Sequence, residues 1–181
     1  MCGVAVGPRY PWVRWWPPAG SEPSPVSGFR DDPDGPYGHL LDHEELRLAD
    51  CDDVSCLVLF GDAGMGKSAE LAVDFRRHEM AGRYSFLLDL GGSQSWGAAR
   101  KRLLSSSEVV AWRADPDEQL ALLVDSVDEV STSMRKLTDQ LLDLLAELPC
   151  DRLLLRAAGR SAAFPSRLRD GLDARFAGCR D

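Results

Sequence analysis

The chain has 181 residues, 44% of them hydrophobic and 28% charged, which suits one ordinary globular domain and excludes a wholly disordered tail. Its 29 acidic residues outnumber 21 basic ones, for a net charge of -8, and this argues against a dedicated duplex-DNA binder, where a basic footprint is the norm. No run approaches the roughly 18 apolar residues of a membrane span, and Pro8, Arg9 and Pro11 break the short apolar start that a secretion signal would need to extend.

The basic residues are lopsided: 18 are Arg and only three are Lys, at Lys67, Lys101 and Lys136. A lysine inside a lysine-requiring motif therefore carries unusual weight. Asn and Ile are absent, so Leu, Val and Ala must fill the core. Cys2, Cys51, Cys56, Cys150 and Cys179 form no CxxC pair and no even framework, and read as the reduced thiols of a cytoplasmic protein.

In chain order, the first 38 residues hold eight of the 11 prolines and three of the five tryptophans. That density forbids a long helix or a central strand. Residues 1–50 are expected to be an irregular Pro/Trp-rich segment, with a short acidic helix at Leu40–Ala49, and residues 51–181 the folded domain. Cys56–Phe60 (CLVLF) is a continuous apolar run, as in a strand buried on both faces of a parallel sheet. A helix follows over 67–80, a strand over Tyr84–Leu90, and helical spacing over 94–113. Leu120–Val124 reads as a third strand ending in Asp125. Ser133–Leu148 is an amphipathic helix with Leu137, Leu141, Leu144, Leu145 and Leu148 on one face, stopped by Pro149. Leu153–Ala158 is a fourth strand, and the Arg-rich tail from Phe164 is helical. Strands alternating with helices imply an α/β fold with a parallel sheet.

The sharpest motif is Gly61-Asp62-Ala63-Gly64-Met65-Gly66-Lys67-Ser68, which satisfies GxxxxGK[ST] in full. Glycines permit positive φ and let backbone N–H groups approach phosphate without a Cβ in the way. The helix start adds the positive end of its dipole. Lys67 supplies a point charge to the β- and γ-phosphates, and the Ser68 hydroxyl is a ligand for Mg²⁺. These eight residues and Ala69 are the candidate nucleotide-binding set. A second carboxylate is needed for the metal, and Asp125 offers it at the end of an apolar strand, where ligands of parallel sheets gather. Asp128 and Glu129 come next, and either is a candidate to orient or deprotonate an attacking water.

Gly61–Ser68 taken together with Leu122-Leu-Val-Asp125-Ser126-Val127-Asp128-Glu129 resembles the NACHT-type branch of the STAND ATPases. In that family a small residue follows the metal-binding aspartate and an acidic pair comes shortly after, as Ser126, Asp128 and Glu129 do here. Leu153–Arg160 (LLLRAAGR) is similar to the family's fourth strand with its sensor arginine, which would make Arg160 the γ-phosphate sensor. Weaker similarity reaches Gly28–Pro33 and Trp112. The resemblance implies a three-layer P-loop NTPase core of about four parallel strands, in the sheet order where strand one lies between strands four and five. It implies an ATP-driven switch, often antiphage in bacteria, that works through a protein partner or self-assembly. The family's fifth strand and following regions are not apparent, so the chain is expected to be the front end of a larger switch.

Nucleotide choice has a compositional answer: the guanine-reading motif NKxD needs Asn, so ATP with Mg²⁺ is the expected ligand pair. Two other readings stay open, a small P-loop kinase with the arginines of Arg160–Arg169 as a lid, and an ATP-binding or interaction fragment without turnover. His39 and His43 lack a third metal ligand and suit a solvated helix better. Asp89 suits a cap or loop position. The Arg-rich tail is accompanied by aspartates, so nucleic acid is not the expected partner.

Overall fold

The computed structural model describes residues 16–18, 46–93, 95–127, 134–160 and 164–177. The chain divides into two compact units, Met1–Cys51 and Asp52–Asp181. Of the first, the described residues show an antiparallel bridge between Trp16 and Leu46, each amide donating to the other's carbonyl at 2.9 Å. Arg47 then meets Asp50 at 2.7 Å beside a short 3-10 turn, Leu48–Asp50. Arg47 is extended, so the helix expected over Leu40–Ala49 is not formed at residues 46 and 47; the bridge to Trp16 claims the Leu46 backbone instead.

The second unit is α/β. Among the described residues it contains β1 (Cys56–Phe60), α1 (Lys67–Met80), β2 (Tyr84–Asp89), α2 (Trp96–Leu104), α3 (Ser107–Ala114), β3 (Leu120–Asp125), α4 (Met134–Ala146), β4 (Leu153–Gly159) and α5 (Ser166–Ala177). The four strands form one sheet in the order β1-β4-β3-β2, every pair parallel. All seven residues of β4 are buried, whereas four of the five in β1 are only partly so. That contrast follows from position: β4 has strands on both edges, and β1 pairs with β4 alone among the described strands.

Alternation divides the sheet into two faces. Leu88, Leu122, Val124, Leu155 and Ala157 join the main core, where α4 contributes Leu137, Leu141, Leu144 and Leu145, the residue Leu148 just past it adds to them, and α5 contributes Leu168, Leu172 and Phe176. Each such leucine contributes about 1.5–3 kcal/mol by leaving water. The other face carries Ala121, Leu123, Leu154, Arg156 and Ala158 and is met by α1, whose buried residues are Leu71, Asp74 and His78. Helices thus cover both faces, with α1 apart from the rest.

Two departures from the expected elements have clear causes. The helical spacing over 94–113 is two helices, not one. Ser95 caps α2 by accepting from Ala98 N–H at 3.2 Å, and Ser106 caps α3 by accepting from Val109 N–H at the same distance. Ser105 turns its hydroxyl back to the Lys101 carbonyl, so the serine run ends one helix and starts the next. The reduced-thiol reading is corrected at Cys150, which is disulfide-bonded. Spacing along a chain does not report which thiols the fold brings together.

Arginines tie the layers. Arg156 is fully buried, a place its lone charge in an apolar run did not announce, and it donates to the Val54 carbonyl at 2.7 Å and the Leu155 carbonyl at 3.0 Å. Arg152 lies over the Trp112 ring at 5.0 Å and donates to the Asp115 carbonyl, holding the turn into β3. At the far end of α1, Arg77 grips Asp52 and Asp74, and Arg83 meets Asp52 at 2.7 Å. The Arg77 guanidinium holds the Asp52 carboxyl well below the usual carboxylate range, with Arg83 adding to it. Burial pushes Asp74 up, but hydrogen bonds from His78 and Arg77 more than offset this, so it too lies low.

A carboxyl depressed in the fold stabilises it above its unfolded pKa near 4, and that stability is lost as pH falls toward its lower folded value. Asp52→Asn is therefore expected to lower the melting temperature at pH 7 by about 2–4 °C, a screened ion pair of roughly 1 kcal/mol. The difference from the unmodified chain should shrink steadily as pH falls below 4, as melting curves across the acid range would show.

Candidate functional site

The loop between β1 and α1 is set by two glycines. Gly64 and Gly66 both have φ of 86°, a left-handed conformation that costs any other L-residue free energy. Gly66 is the N-cap of α1 and offers no side-chain acceptor, so the helix's first amides keep their N–H groups for an external anion. The loop closes on itself through Met65 N–H to the Asp62 carbonyl at 3.3 Å. Lys67 leads the helix, and its Nζ donates to the carbonyls of Gly61 at 2.6 Å and Asp62 at 2.9 Å. The ammonium is thereby held across the mouth of the loop.

At the carboxyl edge of the sheet this loop borders a cavity of about 350 Å³. Ala63, Gly64, Gly66, Lys67, Ser68 and Ala69 form its loop side. Asp125 and Ser126 enter from the end of β3, and Ala158 and Arg160 from β4 and the residue just past it. Four strand and helix ends thus converge, because parallel strands all finish on the same edge. Lys67 and Arg160 bring positive charge, Asp125 a carboxylate, and Ser68 and Ser126 hydroxyls. One carboxylate oxygen of Asp125, Oδ1, accepts the Ser126 N–H at 2.8 Å. Hydroxyl and carboxylate oxygens are the donor set that suits a hard divalent cation such as Mg²⁺.

Of the residues singled out from sequence, the structure brings Lys67, Ser68, Asp125 and Arg160 to one cavity, with Ala63, Gly64, Gly66 and Ala69. Gly61, Asp62 and Met65 belong to the loop but do not line the cavity; the first two serve through their carbonyls to Lys67. Asp128, Glu129, His39 and His43 lie outside the described residues. Asp89 closes a turn: its Oδ1 accepts from Gly92 N–H at 2.9 Å and its carbonyl from the Ser93 hydroxyl at 2.5 Å. No group of three or more metal-ligating side chains occurs among the described residues. No helix among them is long and apolar enough to cross a membrane.

Two lining residues were missed. Ala158 faces the cavity from the strand end, and its signal was its place two residues before Arg160. Ser126 was noted for its small size, but nothing in a serine announces its backbone conformation, φ 58°.

No family model matches the chain, and no curated protein matches it either.

Gly66→Ala is expected to cost about 1–2 kcal/mol of stability, because alanine must adopt the same left-handed cap. A thermal melt of the unliganded protein measures this directly.

Proposed function

We propose that the chain is an Mg²⁺-dependent ATP-binding protein that hydrolyses ATP as a nucleotide-controlled switch of the NACHT/STAND P-loop type. The observation that carries this reading is the single cavity shared by Lys67 and Ser68 with Asp125 and Arg160, at the carboxyl edge of a parallel sheet. Strand order supports it as well: β4 lies between β1 and β3, so the loop after β1 and the aspartate ending β3 flank the same strand.

Each residue has a physical task. Loop amides and the start of α1 bind phosphate oxygens, and Lys67 exchanges its loop carbonyls for the β- and γ-phosphates. The Ser68 hydroxyl and the Asp125 carboxylate hold the metal, which when bound neutralises charge on the phosphates. Arg160, exposed at the end of β4, reads the γ-phosphate. Asp128 or Glu129 orients or deprotonates the water. Protein partners or self-assembly take up the resulting switch, in the cytoplasm.

Lys67→Ala is expected to weaken ATP binding by at least about 100-fold, the scale of a lost charge-assisted contact of roughly 3 kcal/mol. Calorimetric titration with ATP checks this, and unchanged affinity in that variant sinks the assignment. Asp125→Asn should leave ATP binding in EDTA intact and remove the gain from Mg²⁺. Replacing Asp128 and Glu129 together should stop multiple-turnover phosphate release while ATP still binds. Faster transfer to a small acceptor than to water would instead make the protein a kinase.

A further inference from the structure

Among the described residues, Ser126 is the one non-glycine with a left-handed backbone, at φ 58°. Its neighbours hold it there. On one side the Asp125 carbonyl accepts the Leu90 N–H at 3.2 Å, tying the end of β3 to the segment leaving β2. On the other, the Val127 N–H donates to the Ala158 carbonyl at 3.2 Å, tying the next residue to β4, and the Val127 side chain is buried. The chain has one residue in which to turn between these two anchors. Strain of this kind persists only where the surroundings over-determine it, and it gathers at functional sites.

The turn lets the Asp125–Ser126 peptide keep the orientation set by the Leu90 bond while Val127 pairs with β4, and that peptide carries the Ser126 N–H. Ser126 N–H meets Asp125 Oδ1 at 2.8 Å, within a cavity that both residues line. A carboxylate with one oxygen gripped by the following amide loses rotational freedom, and its second oxygen is aimed. Mg²⁺ demands near-octahedral geometry and tolerates little misplacement of a ligand.

We infer that Ser126 is a positioning residue: its left-handed turn, rather than its hydroxyl, holds the Asp125 carboxylate in the orientation that a phosphate-bound divalent cation requires. The inference rests on the function proposed above. It divides the site into two parts, phosphate contacts from Lys67 and the loop amides that do not need Ser126, and metal contacts that do. A hydroxyl-based role would order substitutions differently, because Gly and Ala both lack the hydroxyl but differ in their ease of adopting positive φ.

The test compares Ser126→Gly, Ser126→Ala and Ser126→Val with the unmodified chain and Asp125→Asn. ATP affinity is measured in EDTA and across a Mg²⁺ titration, with the melting temperature of each unliganded variant. Ser126→Gly should match the unmodified chain in its Mg²⁺ midpoint and melt no lower. Ser126→Ala should shift the midpoint upward, and Ser126→Val by at least about tenfold, the usual scale for losing the group that orients a metal ligand. Affinity in EDTA should stay the same in all three.

A Ser126→Val protein that titrates like the unmodified chain overturns the inference. So does a Ser126→Gly protein that loses Mg²⁺ response as fully as Ser126→Ala, since the hydroxyl would then be the active part. If Ser126→Val fails to fold, the order of Gly over Ala decides. ATP binding that ignores Mg²⁺ in both the unmodified chain and Asp125→Asn overturns this inference while leaving nucleotide binding standing. An unmodified chain that binds no ATP under any condition overturns both.

Discussion

The second unit depends on the satisfaction of β4, which has neighbours on both edges and is buried along its whole length. A strand so placed must pair its backbone on each side and leave no polar group unmet. β4 does the first through parallel ladders to β1 and β3. The second is harder, because Arg156 sits in its middle with no exposed surface. Its guanidinium answers to backbone carbonyls, among them Val54 just before β1. The central strand therefore fixes the approach of the chain into β1, and with it the start of the Gly61–Ser68 loop seven residues further on.

Site formation then needs little more than topology. The loop leaving β1, the aspartate ending β3 and the arginine following β4 are far apart in sequence but finish on one edge. The polar residues do not have to be carried there by special excursions. The cost is that groups of both charges share a small cavity, and the structure offsets this locally. Lys67 is received by two carbonyls, and one oxygen of Asp125 by an amide.

Much of this was legible because it rests on local chemistry. CLVLF followed by glycines and a lysine can hardly be anything but strand, loop and helix, and α1 begins at Lys67 and ends at Met80 as the pattern indicates. The apolar face marked over Leu137–Leu148 is equally plain, with all five leucines buried, four of them in α4 and Leu148 just past its end. What escaped notice depends on tertiary context. Ser105 and Ser106 split a helix because their hydroxyls compete with the backbone, which a count of apolar spacing does not register. Arg156 looked like one arginine among many until the sheet closed over it. The conformation of Ser126 comes from hydrogen bonds of its neighbours to β4 and to the segment leaving β2, and no property of serine foretells it. The disulfide at Cys150 is likewise a matter of proximity in space.

Helix α1 has a role beyond covering one face. Its 14 residues span about 21 Å, with the Gly61–Ser68 loop at one end and the Arg77 cluster at the other. Arg77 and Arg83 bind Asp52, so the last turn of the helix, the entry to β2 and the lead into β1 are clasped together. A helix anchored this way acts as a strut rather than a fraying end. The helix axis thus links Lys67 to Asp52, near the point where the chain enters the sheet, so both ends of the β1–loop–α1 unit are held by one rigid element.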